Sequence, residues 1–306
     1  MKVIISGGAG ILGNALGMDL IQDGHDVIVL SRNPERVKDA PAGMQLVKWD
    51  GRTTQGWGSL VDGADAIVNL AGENLSAGRW TPSRKQRILE SRVNAGKAIA
   101  QAIEAAENKP GVVIQSSAVG YYGIRKAEGL TEEAPPGDDF LAQVCQVWEA
   151  STQPVEALGV RRCVVRSAVF LTPKAGVLPR FLLPFKFFVG GPLGSGKQWL
   201  PWIHLQDAVR AVRFMVENEA CSGAYNLIAP QQVSNRQFIK ALGRVMHRPS
   251  IIPVPAFALR LLFGEMSVMV LEGQNLSAER LLQSGFAFQF PEIEPALADL
   301  LRGDGK

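Results

Sequence analysis

The fold is decided by the opening stretch Lys2-Val3-Ile4-Ile5-Ser6-Gly7-Gly8-Ala9-Gly10-Ile11-Leu12-Gly13. A β-branched run, a glycine-rich turn and the start of an apolar helix follow one another without a gap. Glycine allows the tight turn and a close approach of the backbone to a pyrophosphate, and the helix N-terminus offers unpaired N–H groups. The stretch therefore predicts a dinucleotide-binding turn. The residues expected to contact the dinucleotide are Gly7, Gly10, Ile11, Leu12 and Gly13.

The spacing of these glycines leaves the family open. Gly8, Gly10 and Gly13 fit GxGxxG, whereas Gly7, Gly10 and Gly13 fit GxxGxxG. Both patterns serve the same physical purpose, so a narrower assignment needs residues elsewhere in the chain.

Beyond the turn, β-branched runs alternate with helical patterns as far as about residue 170. The strands are predicted at Lys2–Ser6, Asp26–Ser31, Met44–Trp49, Ala66–Leu70, Gly111–Ser116 and Arg162–Phe170, and the helices between them at Gly13–Gln22, Pro34–Lys38, Ser83–Glu107 and Phe140–Leu158. Such alternation is typical of βαβ units with right-handed crossovers. The predicted fold class is α/β, with a doubly wound parallel sheet of the Rossmann type and a smaller C-terminal lobe.

The ends of the next strands indicate which dinucleotide binds. Ser31 and Arg32 end the second strand, where an NAD-binding protein carries an acidic residue for the ribose. A guanidinium suits a 2′-phosphate instead, so NADP(H) is the predicted cofactor, with Arg36 as a second phosphate contact. Asp50, after the third strand, is a candidate acceptor for the adenine amino group, although an Asp before Gly is also a common turn residue. Further cofactor contacts are predicted at Leu70, Ala71, Gly72, Ser116 and Ala118.

Length and composition bound the partners and the compartment. The chain has 306 residues, 32 Lys and Arg, 29 Asp and Glu, and three Cys without metal-type spacing. A net charge of +3 without a basic run excludes nucleic acid and anionic membranes as expected partners, which leaves small molecules. The predicted first strand leaves no room for a targeting peptide, and no apolar run reaches the roughly 20 residues that span a bilayer. We expect a cytoplasmic location without a metal.

After residue 171 the amino-acid composition changes, and the segments become rich in Pro and Gly. We therefore place an NADP-binding domain at 1–171 and a smaller lobe at 172–306, and leave room for segments of the latter to return to the sheet. Helices are expected at Asp207–Glu217, Ser234–Met246, Pro255–Leu262 and Ser277–Gln283, with a strand at Ala224–Ile228. The amphipathic segment Pro179–Val189 either packs the lobe or forms a partner surface, so a monomer and a homodimer both stay open.

Four motifs in this order carry a family resemblance: the glycine turn, Asn69-Leu70-Ala71-Gly72, Ser117-Ala118-Val119-Gly120-Tyr121-Tyr122-Gly123 and Trp202-Ile203-His204. With them the chain resembles the extended short-chain dehydrogenase/reductases, over nearly its whole length. Glu73, the Arg79-Trp80 pair and the Gly190–Gly196 loop are similar to an atypical subgroup of that group, the "epimerase family" proteins. The resemblance implies an NADP-dependent oxidoreductase. Some members of the subgroup are labelled cell-division inhibitors.

The usual catalytic groups of the family are absent. Where the resemblance places a Ser or Thr, a Tyr and a Lys, this chain has Ala118, Leu141 and Cys145. A position that grips a sugar-nucleotide diphosphate in the epimerase relatives holds Leu200. Neither the usual acid–base mechanism nor a sugar-nucleotide substrate is therefore expected.

Other polar side chains near the expected nicotinamide are candidates for the chemistry. The candidate catalytic residues are Ser117, Tyr121, Tyr122 and Arg92, and the candidate substrate contacts are Glu73, Arg79, Trp80, Gln198, Trp202 and His204. Either tyrosine could protonate a carbonyl that accepts a hydride, and Arg92 or Arg79 could hold an anionic substrate. The alternatives are structural: one tyrosine packs the core, His204 anchors the lobe, and the tryptophans fill space.

Two functions follow from this pattern. The first is an NADPH-dependent reductase of a small carbonyl or related acceptor. The second is a catalytically silent NADP(H)-binding regulatory or scaffold protein, which the missing Ser, Tyr and Lys favour.

Overall fold

The computed structural model describes residues 1–36, 43–125 and 129–302. Its strands are β1 Lys2–Ser6, β2 Asp26–Ser31, β3 Met44–Lys48, β4 Ala66–Asn69, β5 Val112–Ala118, β6 Arg161–Ser167, β7 Val169–Leu171, β8 Trp202–His204 and β9 Gly223–Leu227. Within the described residues seven of them form one sheet in the order β3-β2-β1-β4-β5-β6-β9, in which every pair is parallel. The predicted α/β fold with a doubly wound parallel sheet is confirmed.

The helices cover both faces of this sheet. They are α1 Ile11–Gln22, α2 Pro82–Ala105, α3 Phe140–Ala150, α4 Leu178–Lys186, α5 Leu205–Glu217, α6 Asn235–Met246, α7 Ala256–Phe263, α8 Val268–Leu271, α9 Glu279–Gln283 and α10 Ile293–Leu301. Short 3₁₀ turns lie at Pro34–Arg36, Gly58–Val61, Val119–Tyr122, Gln153–Leu158 and Gly264–Ser267.

Two apolar clusters explain why the strands read as continuous apolar runs. Val3 and Ile5 of β1 pack on the side of α1 and α5, whereas Ile4 packs on the side of α2 with Ile99. Successive side chains of a strand point to opposite faces, and here both faces are buried. Val3, Ile4 and Ile5 are therefore all buried, two in one cluster and one in the other.

Three sequence predictions need correction. The strand predicted at Arg162–Phe170 is interrupted at Ala168: β6 stays in the main sheet, while β7 turns away and pairs with β8. The helix predicted at Phe140–Leu158 ends at Ala150, and a 3₁₀ turn with Pro154 in its first turn follows. Proline removes a backbone donor and clashes with the preceding turn, so the α-helix cannot continue through it. The predicted helix at Pro34–Lys38 is a 3₁₀ turn over Pro34–Arg36, and its end lies outside the described residues.

The chain after Leu171 builds a smaller cluster and also adds to the main sheet. The buried residues Leu171, Phe185, Trp202, Phe238 and Leu297 form the centre of the lobe. Strand β9 pairs with β6 at the edge of the main sheet. In the described part of the chain, no helix is both long and apolar enough to cross a membrane.

Candidate functional site

A groove of about 1060 Å³ crosses the carboxyl ends of β1, β2, β3 and β4. Ligands of open parallel sheets bind at this edge, where the strand order reverses between β1 and β4. The groove is lined by Gly7, Ala9, Gly10, Asn14, Leu30, Ser31, Arg32, Asn33, Trp49, Asp50, Gly51, Arg52, Leu70, Ala71, Gly72, Glu73, Arg87, Glu90 and Ser91.

The glycine turn forms the centre of the groove. Gly7 has a φ of +68°, and a Cβ built on it would lie 2.6 Å from the Leu70 carbonyl oxygen. A Cβ on Gly13 would lie 2.6 Å from the Gly8 Cα. The first glycine therefore sets the turn, and the last one allows α1 to pack closely against it.

The start of α1 fits an anionic ligand. Gly10 is the residue before the helix, and no side chain caps the N–H groups of the first turn. These groups and the positive end of the helix dipole suit a pyrophosphate. A turn that side chains would fill, next to an uncapped helix, is a cradle for a dinucleotide.

The predicted cofactor contacts divide into two groups. Eight of them line the groove: Gly7, Gly10, Ser31, Arg32, Asp50, Leu70, Ala71 and Gly72. The side chain of Leu12 packs in the core, and Ile11, Gly13, Ser116 and Ala118 are outside the lining of the groove. Contacts through the backbone of Ile11, Leu12 and Gly13 stay a prediction, as do contacts of Ser116 and Ala118. The side chain of Arg36 lies outside the described residues.

Asp50 forms a turn. Its carboxylate accepts hydrogen bonds from the backbone N–H groups of Arg52 (2.7 Å) and Thr53 (2.8 Å) and from the Thr53 hydroxyl (2.8 Å). Desolvation raises the pKa of Asp50, but these hydrogen bonds outweigh it and the pKa is lowered. Asp50 therefore acts as a turn residue, and its contact with the adenine amino group stays a prediction.

Sequence reasoning missed a buried polar chain below the groove. Ser6 donates to the Asn69 Oδ1 (2.6 Å), and the Asn69 amide donates to the Gln115 Oε1 (2.9 Å). All three side chains are fully buried; Ser6 and Asn69 end β1 and β4, and Gln115 lies within β5 beside Asn69. These hydrogen bonds tie together the neighbouring strands β1, β4 and β5, and the polar residues within otherwise apolar strands were their only signal in the sequence.

Ser117 belongs to a second buried network. Its hydroxyl donates to the Glu149 Oε1 (2.6 Å), and the Arg166 guanidinium donates to both oxygens of that carboxylate (3.0 Å each). Ser117 is 1% exposed. This burial argues against the expected catalytic role of Ser117, because its hydroxyl is already committed to a structural ion pair.

The adjacent residues Tyr122 and Tyr121 differ in their burial and in their hydrogen bonds. Tyr122 is fully buried, donates to the Asn226 Oδ1 (2.6 Å) and accepts from Arg166 (3.1 Å). Burial raises the pKa of Tyr122 to about 12. These contacts argue against proton donation by Tyr122. Tyr121 is half-buried, with its ring 3.4 Å from the Arg166 guanidinium carbon, and it remains the candidate donor.

Arg92 lies directly behind the groove. The side chain is 8% exposed, donates to the Ile88 carbonyl oxygen (3.0 Å) and stacks on Trp148 (4.8 Å). A Cβ on Gly72 would lie 3.1 Å from its guanidinium carbon. Burial lowers the pKa of Arg92, while Cys145 and Glu73 oppose the change. Within the described residues, no carboxylate lies within 4 Å of this guanidinium.

The expected substrate contacts Glu73, Arg79 and Trp80 occupy different surroundings. Glu73 lines the groove and pairs with Arg84 (3.0 Å). Arg79 donates to the carbonyl oxygens of Leu261 (2.7 Å) and Leu262 (3.2 Å) at the end of α7. Trp80 packs against Phe140 in a core cluster. Of the three, only Glu73 is placed to reach a ligand in the groove.

Gln198, Trp202 and His204 hold the lobe together. The Gln198 amide donates to the carbonyl oxygens of Leu193 and Val270 (3.0 Å each), and its own buried carbonyl oxygen has no hydrogen-bond partner among the described residues. Trp202 is fully buried. His204 stacks on Phe290 (4.0 Å) and caps α5. These positions argue against the expected substrate contacts and favour the packing alternative.

The sheet order, the glycine turn and the groove at the strand ends define a dinucleotide-binding protein of the extended Rossmann type. The chain belongs to the NAD dependent epimerase/dehydratase family, whose model matches residues 3–227. Residues 254–300 match a domain of unknown function, DUF1731. The resemblance to the epimerase family proteins is thereby confirmed.

Several curated proteins are similar over the whole chain. The epimerase family protein YfhF of Bacillus subtilis is 40% identical over 304 residues, which cover 98% of each chain. The epimerase family protein SDR39U1 of Bos taurus is 35% identical over 306 residues, covering 98% of this chain and all of the relative.

Solved structures extend the comparison. The human epimerase family protein SDR39U1, crystallised with NADPH, is 33% identical with a TM-score of 0.89, and the alignment covers 99% of this chain and 100% of that one. A UDP-glucuronic acid 4-epimerase from Bacillus cereus is 16% identical with a TM-score of 0.77 over 99% of both chains, which shows a shared fold.

Proposed function

We propose that the protein binds NADP(H) and uses it as an oxidoreductase that reduces a small carbonyl or related acceptor. The groove supports this proposal most directly, because its glycine cradle and uncapped helix suit a pyrophosphate while Arg32 replaces the acidic residue of NAD-binding proteins. The human neighbour that was crystallised with NADPH supports the choice of cofactor. When bound, the reduced nicotinamide supplies a hydride.

The described residues suggest how this chain would assist that transfer. Tyr121 is half-buried in the 3₁₀ turn that follows β5, and no hydrogen bond of its hydroxyl to another described residue is present. Its phenol is free to donate a proton to the oxygen of an acceptor. The Arg166 cation under its ring would favour the phenolate left after donation.

One experiment tests both halves of the proposal. NADPH and NADH are titrated into the wild type and Arg32→Ala by fluorescence, and oxidation of NADPH is then followed with a panel of aldehydes, ketones and 2-oxo acids. We expect tighter binding of NADPH than of NADH, loss of that preference in Arg32→Ala, and slow oxidation with one acceptor class. Failure of the wild type to bind either nucleotide would overturn the proposal.

A second function has its own support. Ser117 and Tyr122 are locked in the network around Glu149 and Arg166, and Cys145 is buried with a pKa raised to about 11 by its burial. A protein that binds NADP(H) without turnover, with a regulatory or scaffold role, has no use for free acid–base groups. Tight NADPH binding without oxidation by any acceptor would favour it.

We also propose a cytoplasmic location, as a monomer or homodimer. Three free buried cysteines suit a reducing compartment. The exposed side chains of Leu183, Phe187 and Phe188 leave a self-contact open.

A further inference from the structure

The turn after β3 presents a second arginine to the groove, opposite the end of β2. Arg52 and Arg32 both line the groove, and a Cβ on Gly51 would lie 4.0 Å from the Arg32 Cδ. Both arginines are exposed. Within residues 1–36, 43–125 and 129–302, neither guanidinium lies within 4 Å of a carboxylate.

This turn is held rigidly although its surface is exposed. Trp49 and Trp57 are buried, and their indole N–H groups both donate to the Thr53 carbonyl oxygen (2.7 Å each). The two rings meet edge to face at 5.3 Å. Together with the Asp50 carboxylate, which binds the N–H groups of Arg52 and Thr53, they fix the backbone on both sides of Arg52.

The direction of Arg52 follows from the same turn. Gly51 has a φ of +79°, which reverses the chain immediately after Asp50 and returns Arg52 to the wall of the groove. The Asp50 carboxylate faces the backbone of its own turn, so its charge is partly satisfied by three donors. Two cations thus converge on one end of the groove, and among the described residues the nearby Asp50 carboxylate acts on Arg52 only through space, without an ion pair within 4 Å.

We propose that Arg52 is a second specificity-determining residue, which binds the 2′-phosphate of the cofactor together with Arg32, and that Asp50 positions it. A guanidinium presents paired donors to phosphate oxygens, and two guanidiniums can share a dianionic phosphate that neither neutralises alone. This inference rests on the proposed NADP(H) function and adds to it a residue that β2 alone does not predict.

The test compares adenosine 2′,5′-bisphosphate with adenosine 5′-monophosphate, which differ only in the 2′-phosphate. Binding of each is measured by calorimetry for the wild type, Arg32→Gln, Arg52→Gln and the matched control Lys48→Gln. Lys48 is exposed on β3, and its replacement removes the same charge. We expect Arg52→Gln to weaken the bisphosphate about tenfold or more and the monophosphate by less than about twofold, with no change in Lys48→Gln.

Asp50→Ala separates positioning from simple electrostatics. Removal of a nearby negative charge alone would tighten binding of the bisphosphate, whereas loss of the turn weakens it. If Asp50 instead accepts from the adenine, both nucleotides weaken equally. We expect a selective loss for the bisphosphate, with circular dichroism reporting that the fold is retained.

The outcomes separate this inference from the proposed function. If the wild type prefers the bisphosphate and Arg32→Gln removes the preference while Arg52→Gln keeps it, the role of Arg52 is overturned and the NADP(H) proposal stands. An equal loss for both nucleotides in Arg52→Gln, or the same loss in Lys48→Gln, also overturns it. If the wild type has no preference between the nucleotides and binds neither NADPH nor NADH, the proposed function itself fails.

Discussion

The Arg166 guanidinium binds the Glu149 carboxylate through two hydrogen bonds of 3.0 Å, and the two side chains are only 5% and 14% exposed. The Ser117 hydroxyl donates to this carboxylate, and the Arg166 guanidinium donates to the Tyr122 hydroxyl. Two hydroxyls that the sequence places near the nicotinamide are thereby used for structure. The ring of Tyr121 lies over Arg166, and its hydroxyl has no hydrogen bond to another described residue, as the proposed proton donation requires.

Glu149→Gln is expected to lower the free energy of unfolding by about 3 kcal/mol, because breaking a buried ion pair from one side leaves Arg166 as an uncompensated charge. Urea denaturation followed by circular dichroism measures the loss. Glu156→Gln is the matched control, because the Glu156 side chain pairs with Arg162 but is 47% exposed. Its replacement should lower the free energy of unfolding by less than about 1 kcal/mol. Equal losses in the two variants would contradict the importance assigned to the pair.

Tyr121→Phe and Tyr122→Phe should separate chemistry from stability. For Tyr121→Phe we expect a fall of about 100-fold in the rate of NADPH oxidation with unchanged stability, since a general acid contributes at least that factor. For Tyr122→Phe we expect a stability loss of about 1–3 kcal/mol, because Asn226 and Arg166 lose their partner, with an unchanged rate per folded molecule. A rate that stays unchanged in Tyr121→Phe would show that the proton comes from elsewhere.

Gly7→Ala should lower the free energy of unfolding by more than the positive φ of Gly7 alone explains. Gly7 and Gly24 both have positive φ, +68° and +78°, but only Gly7 has a neighbour that a Cβ would strike, the Leu70 carbonyl oxygen at 2.6 Å. We expect Gly24→Ala to lose about 1 kcal/mol and keep nucleotide binding, and Gly7→Ala to lose about 3 kcal/mol or more and abolish it. Thermal unfolding with and without NADPH compares the two, and similar losses would rule out the close approach.

Local signals made most of the fold and half of the groove predictable. Gly7, Gly10 and Gly13 belong to one local turn, so their role could be predicted from their spacing in the sequence. β2 ends at Ser31 and Arg32 follows it, and since β2 is parallel to β1 both residues lie at the same edge of the sheet as the glycine turn. Strand positions followed from apolar runs because both faces of the sheet are buried.

Long-range contacts decided what the sequence did not reveal. The stretch from Arg162 to Phe170 contains no Gly or Pro that would mark a break at Ala168, and the break comes instead from the pairing of β7 with β8 more than 30 residues later. Arg52 reads as an ordinary exposed arginine until Trp49 and Trp57 fix its turn. Trp202 and His204 resemble site residues in the motif, yet the lobe packs over them.

His204 should make stability depend on pH below neutrality. Burial lowers the pKa of His204, against the opposing effect of Asp299, so the folded state favours the neutral ring. This contribution is complete above the unfolded pKa of about 6.5 and is lost as the pH falls through the folded value. His204→Asn keeps a cap for α5 and removes the titration, so its stability should fall less than that of the wild type between about pH 7 and pH 5. Parallel profiles from urea denaturation would contradict this assignment.

Arg92→Met should make the protein more stable and less functional. The guanidinium is 8% exposed, donates to one carbonyl oxygen and lacks a carboxylate partner among the described residues, so its desolvation is poorly compensated. A methionine of similar length keeps the contact with Trp148 and should raise the free energy of unfolding by about 1 kcal/mol. If the charge is retained for a ligand at Gly72, NADPH affinity or turnover should fall about tenfold or more in the same variant. If urea denaturation instead shows that Arg92→Met is destabilised, Arg92 has a structural role through its hydrogen bond to Ile88 and its stacking on Trp148.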